Sequence, residues 1–149
     1  MGRGSCLFLA EQSVRNASVA FRLFSSAFSN VSYPHKIWNI QSRVIEELAE
    51  KGPCVIVGRC ADYILREKAN CLNVFIHASM EKRAQRIVQE YGEREESPEQ
   101  RLRDKDKRRA AYHRFYTDMK WGHSQNYHIC LDSGTLGIDK CAELIVQLF

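Results

Sequence analysis

The sequence lacks the signatures by which several protein classes declare themselves. No apolar run approaches the roughly 18 residues that a helix needs to cross a bilayer, so a membrane partner is not expected. The apolar piece Cys6 to Ala10 is also too short for the core of a secretory signal. The six cysteines, Cys6, Cys54, Cys60, Cys71, Cys130 and Cys141, form no Cys-x-x-Cys pair, which excludes zinc-ribbon and thioredoxin-like sites. No internal repeat and no low-complexity segment is visible. No Gly-x-x-x-x-Gly-Lys-Ser/Thr loop, the usual cradle for nucleotide phosphates, occurs. The histidines assemble no catalytic group: His77 ends an apolar run and reads as structural, and His113, His123 and His128 have no ligand spacing with Cys or carboxylates.

What is present is ordinary for one globular domain. The 149 residues are 44% hydrophobic and 27% charged, enough for one buried core spanning 1–149. A formal net charge of +4 suits an anionic ligand or nucleic acid without demanding either. Cys54, Cys71 and Cys130 sit within or beside apolar runs, as buried free thiols do, which points to a reduced, cytoplasmic setting.

Residues 1–35 are hard to assign, although Val14 to Phe28 has apolar residues at helical spacing. Lys36 to Lys51 predicts a helix whose apolar face is Ile37, Ile40, Val44, Ile45 and Leu48, stopped by Gly52 and Pro53. Cys54 to Val57 and Leu72 to Ile76 are continuous apolar runs that predict strands buried on both faces of a parallel sheet, and His128 to Leu131 predicts a third strand. Ser79 can cap a helix that Gly92 ends, and Ser97-Pro98-Glu99-Gln100 opens another that runs to about Tyr116. Ile138 to Phe149 predicts a closing amphipathic helix. Strands alternating with helices make an α/β fold with a mainly parallel sheet.

Four places could carry chemistry. Gly58, Arg59 and Cys60 follow the first of these strands, where ligands of open α/β sheets bind. Glycine there permits a close backbone approach, and Arg59 presents a fork of donors matched to phosphate. On the helix after Pro98, Leu102, Asp106, Arg109, His113 and Tyr116 share one face, so Asp106 and Arg109 could meet one ligand. The 101–114 stretch is basic enough to read instead as a solvated helix or a surface that binds nucleic acid or a protein, with Arg101 and Arg108 facing solvent. Arg83 and Arg86 lie three apart on the preceding helix, and Asp132 and Ser133 form a plausible turn after the last strand.

In this order, Cys54-Val-Ile-Val-Gly-Arg-Cys-Ala-Asp-Tyr-Ile-Leu65, Val74-Phe-Ile-His-Ala-Ser79 with Arg83-Ala-x-Arg86, Asp104 to Tyr116, and Tyr127 to Ser133 resemble the cytidylate-kinase-like family of nucleoside monophosphate kinases. The resemblance covers residues 36–149 and implies a three-layer, P-loop-kinase-like parallel sheet. It implies transfer of a phosphoryl group from ATP, with Mg2+, to a nucleoside monophosphate such as CMP or dCMP. Nucleotides would then be the partners, and nucleic acid would not. By this resemblance Arg59 and Arg109 are the catalytic and phosphate-holding arginines, and Gly58, Cys60 and Asp106 complete the acceptor side. Arg83, Arg86, Asp132 and Ser133 lie toward ATP, and 91–100 forms a mobile lid. Bacterial cytidylate kinases carry Asp where this chain has Cys60. The resemblance also implies a Gly-rich loop and a central strand ahead of it, and residues 1–35 show neither. The sheet is therefore expected to lack its central N-terminal strand. Such a chain should be marginally stable as a monomer, or should cover its open strand edges as a homodimer.

Overall fold

The computed structural model describes residues 5–11, 34–68 and 70–149. Its first element overturns the expectation of a missing strand. Ser5–Glu11 forms β1, and β1 lies in the interior of the sheet. It pairs in parallel with β2 (Cys54–Val57) from Cys6↔Cys54 to Leu9↔Val57, and with β3 (Asn70–His77) from Ser5↔Asn70 to Glu11↔Ile76. Strand β4 (Ile129–Asp132) adds to β3, giving the parallel order β2-β1-β3-β4. The run of Cys6 to Ala10 is thus a core strand whose backbone groups are satisfied on both sides. With the gap filled, the reasoning toward a marginal monomer or an edge-covering dimer loses its premise. The segment read as a helix, Val14 to Phe28, lies outside the described residues.

The sheet alternates as a central layer must. Cys6 and Leu7 are neighbours on β1, point to opposite faces, and are both buried. On the Cys6 side it is covered by α1 (Pro34–Lys51) and the short α2 (Ala61–Ile64), through a core of Ile45, Ala49, Ala61, Ile64, Leu65, Phe75 and Tyr127. On the Leu7 side Val74 and Leu131 pack against Cys141 and Ile145 of α6 (Ile138–Leu148). Helices α3 (Met80–Tyr91) and α4 (Pro98–Thr117) pack through Ala84, Ile87 and Leu102, and α5 (Ser133–Leu136) follows β4 directly. This is the three-layer α/β architecture expected.

Local signals behave as their chemistry dictates. Ser79 Oγ accepts from the Lys82 amide and Ser97 Oγ from the Gln100 amide, each at 3.3 Å, and Pro98 sits in the first turn of α4. Gly92, at φ 72°, ends α3.

Two expectations are corrected. Helix α1 does not bury the Ile37-Ile40-Val44-Leu48 stripe, which stays 39–46% exposed. It turns inward Trp38, Gln41, Ile45 and Ala49, one residue or about 100° round. Trp38 and Gln41 find partners on α4 that helical spacing cannot foresee: Trp38 stacks on Tyr116, and Gln41 donates to Tyr112. Strand β2 is not buried on both faces either. It is an edge strand, and Val55 and Val57 face outward and are exposed.

Because all four strands run the same way, their carboxyl ends lie along one edge of the sheet. The order 2-1-3-4 makes the chain reverse its direction of travel between β1 and β3. In open α/β sheets that reversal opens the crevice where ligands bind. No described helix is long and apolar enough to cross a membrane.

Candidate functional site

The turn after β2 is built unusually. Gly58, Arg59 and Cys60 have φ of 75°, 60° and 57°, three left-handed residues in succession, two of which carry a Cβ. A non-glycine residue there costs on the order of 1–3 kcal/mol and persists only where the surroundings hold it, a pattern that clusters at functional sites. The Gly58 carbonyl accepts from the Ala61 amide at 3.3 Å, and the Cys60 carbonyl accepts from the Tyr63 and Ile64 amides at 3.0 Å. Cys60 is buried, and its thiol is pushed up to about 12 by burial and then by the charge of Asp62, so it is a neutral packing group and not a nucleophile. Arg59 stays exposed, with its guanidinium 5.9 Å from the centre of the Tyr112 ring. The Tyr112 hydroxyl accepts from Gln41 Nε2 at 2.8 Å, and Trp38 stacks on Tyr116 at 4.3 Å, so Arg59 stands beside an aromatic group shared by α1 and α4.

Helix α4 presents the face expected of it. Leu102 and His113 are buried, and Asp106, Arg109 and Tyr116 are half-buried. Asp106 is the hub. Arg83 donates to it twice, from Nη1 to Oδ2 at 2.7 Å and from Nη2 to Oδ1 at 2.9 Å. Arg109 Nη1 donates to Oδ1 at 3.1 Å. Arg83 is only 3% exposed and lies in the first turn of α3, just past the end of β3. Asp106 and Arg109 are therefore held at the carboxyl edge of the sheet. Both oxygens of Asp106 already accept from arginine, and Arg83 is a buried strut.

Arg101 corrects an expectation. It does not face solvent but is buried at the start of α4, with one Nη atom out of reach of any hydrogen-bond partner. Arg108 is exposed as expected. Lys105 has its pKa lowered, by burial first and then by the neighbouring cations Arg109, Arg101, Arg94 and Arg108. So dense a cluster of positive charge favours an anion. Arg94 belongs to the exposed link 92–97 between α3 and α4, within the segment 91–100 read as a lid.

At the other end of the edge, Arg86 points its guanidinium at Ser133, 3.4 Å from both the hydroxyl and the carbonyl oxygen, and Ser133 Oγ donates to the His77 carbonyl at 3.1 Å. Asp132 caps α5. It accepts from the Thr135 hydroxyl at 2.8 Å and the Gly134 amide at 2.9 Å, and these bonds hold its carboxyl below the ordinary range.

The segments after β2, β3 and β4 thus lie along one edge of a parallel sheet, with α4 tied to the first two through Tyr112 and Asp106. The cytidylate kinase-like family matches residues 4–135, a span that takes in β1 and every one of these segments. The chain belongs to the cytidylate kinase-like family. A crystal structure of an uncharacterized protein from Eubacterium ventriosum ATCC 27560 is similar to it, with a TM-score of 0.80 and 23% identity over 99% of this chain and 98% of that one. At that identity the likeness shows the fold. No curated protein matches the chain.

The metal-ligating side chains of the described residues are scattered. No group of three His, Cys, Asp or Glu side chains among them is placed to hold a metal ion. Asp132 is engaged as a cap. Residues 12–33, which follow β1, contain neither glycine nor lysine.

One feature of the site escaped the sequence. Asp62 and His113, 51 residues apart, are both buried, and Asp62 Oδ2 lies 3.2 Å from His113 Nε2. Spacing offered no signal for this pair. The only hint was that His113 shares a helix face with Asp106 and Arg109.

Proposed function

We propose that this member of the cytidylate kinase-like family binds a nucleoside monophosphate such as CMP or dCMP at the carboxyl edge of its sheet. Arg59 and Arg109 hold the phosphate. The single observation behind this reading is the pairing of two differently held arginines. Arg59 is presented by a strained turn beyond β2, and Arg109 is oriented by an Asp106 that buried Arg83 fixes. Tyr112 connects them, lying beside Arg59 and one helical turn beyond Arg109.

The family's reaction moves a phosphoryl group from ATP and Mg2+ to such an acceptor. That chemistry requires little covalent participation from protein groups; it requires in-line positioning and positive charge around the transferring oxygens. Arg59 would fix the acceptor phosphate. Arg109 would neutralise charge building on it, and Asp106 would keep Arg109 from swinging toward solvent. Arg86 and Ser133 would line the far side, and the 91–100 link, with Arg94, would close over the bound anion and exclude water.

With neither glycine nor lysine in residues 12–33, the ATP phosphates lose the backbone cradle and cation that normally hold them. Turnover should then fall well below the roughly 1 per second of a competent kinase. Calorimetric titration with CMP, dCMP, UMP and AMP, paired with an ADP-release assay, tests both halves. Saturable binding of CMP or dCMP with little turnover is expected. Fast turnover would place a phosphate cradle elsewhere in the chain. An absence of nucleotide binding, together with RNA affinity that falls steeply with salt, would transfer the function to the basic 101–114 helix.

A further inference from the structure

The pair formed by Asp62 and His113 is buried and incompletely bonded. Asp62 is 5% exposed and His113 4%, and Asp62 Oδ1 has no hydrogen-bond partner among the described residues. A buried pair repays its desolvation fully only when geometry is good and the remaining lone pairs are satisfied, so stability alone is an incomplete account of this one.

The bonding around the imidazole identifies its state. The Thr117 hydroxyl spends its proton on the His113 carbonyl at 2.6 Å and accepts from the Met119 amide at 3.1 Å. His113 Nδ1 then faces two acceptors, Thr117 Oγ1 and the Met119 carbonyl, both at 3.2 Å, and must carry a proton. Nε2 faces the Asp62 carboxylate. An imidazole that donates from both nitrogens is the cation. The other titratable groups facing Asp62 are the Cys60 thiol and the Tyr127 phenol. Burial and the charge of Asp62 push both up, so both are neutral; Arg59 acts on Cys60 in the opposite sense.

What the pair joins gives it a purpose. Asp62 lies two residues beyond Cys60, at the end of the strained turn that presents Arg59. His113 lies one helical turn beyond Arg109 and next to Tyr112, the ring beside Arg59. The turn stores strain and needs an external hold, and two contacts tie it to α4: the Arg59–Tyr112 contact at the surface and this buried pair.

We infer that Asp62 and His113 are positioning residues, whose buried contact locks the Arg59 turn onto α4 and so sets the spacing between Arg59 and Arg109. The consequence for ligand affinity rests on the phosphate-binding role proposed above for those arginines; the locking itself does not.

The test begins with the ligand-free protein. Amide and imidazole resonances are followed by NMR from about pH 5 to about pH 9, the span in which a perturbed histidine changes charge. The amides of Gly58, Arg59 and Cys60 should move with the midpoint of the His113 ring, and H113Q should abolish that inflection. Where H113Q fails to fold, D62N serves instead: the His113 ring still titrates there, and the turn amides should no longer follow its midpoint. Turn amides that stay flat while His113 titrates, or an inflection that survives the substitution, would overturn the inference. The second measurement is a double-mutant cycle on CMP affinity. H113Q should weaken CMP about tenfold in the parent chain and leave R59A unchanged, as expected of a residue that acts through Arg59. Equal losses in both backgrounds would also overturn it. If the parent chain binds no CMP, the proposed function fails, and the amide titration still decides whether the turn is locked.

Discussion

Substitution of Asp106 by alanine should destabilise this protein more than any other single change on the exposed half of the site. The side chain accepts three hydrogen bonds, two of them from Arg83 at 2.7 and 2.9 Å. Arg83 is 3% exposed. Without Asp106 its guanidinium would remain buried and lack its carboxylate, the situation in which breaking an ion pair costs about 3–5 kcal/mol. The carboxylate itself is 21% exposed, so water can reach the vacated space, and the lower figure of about 3 kcal/mol applies. For a chain of this length each kcal/mol moves the melting midpoint by about 2–4 °C, so D106A should melt about 6–12 °C lower. R109A is the control. Its contact with Asp106 is a partly exposed i,i+3 pair, worth about 0.2–0.5 kcal/mol, so losing that pair should cost far less than D106A does. A paired replacement, R83M with D106L, removes both charges together and should recover most of the loss, because apolar groups of similar volume often match a buried pair. Circular-dichroism melts and urea titrations of the four proteins are sufficient. A D106A midpoint within about 2 °C of the parent, or equal damage from R109A, would show that Asp106 is not the hub.

Three further outcomes are expected. In calorimetric titrations R59A and R109A should each weaken CMP by roughly tenfold to a hundredfold, the loss of a charge-assisted bond of about 1.5–3 kcal/mol, and exposed Arg108 replaced by Ala should change it by less than about threefold; equal losses from all three would instead describe a diffuse anion-attracting surface. Burial pulls the pKa of His113 down, but the hydrogen bond and charge of Asp62 and the Met119 carbonyl outweigh it, and the net shift is upward. The stability His113 contributes is therefore complete below its unfolded value of 6.5 and is lost as pH rises through the higher folded value. Urea unfolding should show the parent losing stability relative to H113Q across that window, and parallel curves would contradict the assignment. Gly122 has φ of 72°, and a Cβ there would lie 3.0 Å from Phe75 Cζ, so G122A should cost about 1–3 kcal/mol in the same urea experiment, whereas an unchanged unfolding midpoint would refute the close contact.

The sequence by itself determined what depends on neighbours within one helical turn. The caps at Ser79 and Ser97, Pro98 in a first turn and Gly92 at a helix end were all legible because each satisfies backbone groups three or four residues away. The shared face of Leu102, Asp106, Arg109, His113 and Tyr116 was legible too, being a matter of helical period alone. Only the tertiary structure decided the rest. Five apolar residues from Cys6 to Ala10 read as too little for a signal core, and their place between β2 and β3 depends on partners 48 and 65 residues along the chain. The apolar spacing of α1 admitted more than one inward stripe, and contacts of Trp38 and Gln41 with α4 selected one. Arg101 on a basic helix looks solvated until α3 packs beside it. The arginines carried by family resemblance were found, but which of them are struts and which are presented was not written locally. The pairing of Asp62 with His113 was not legible, because a buried charge is recognised by what surrounds it, and residues from distant parts of the chain supply those surroundings.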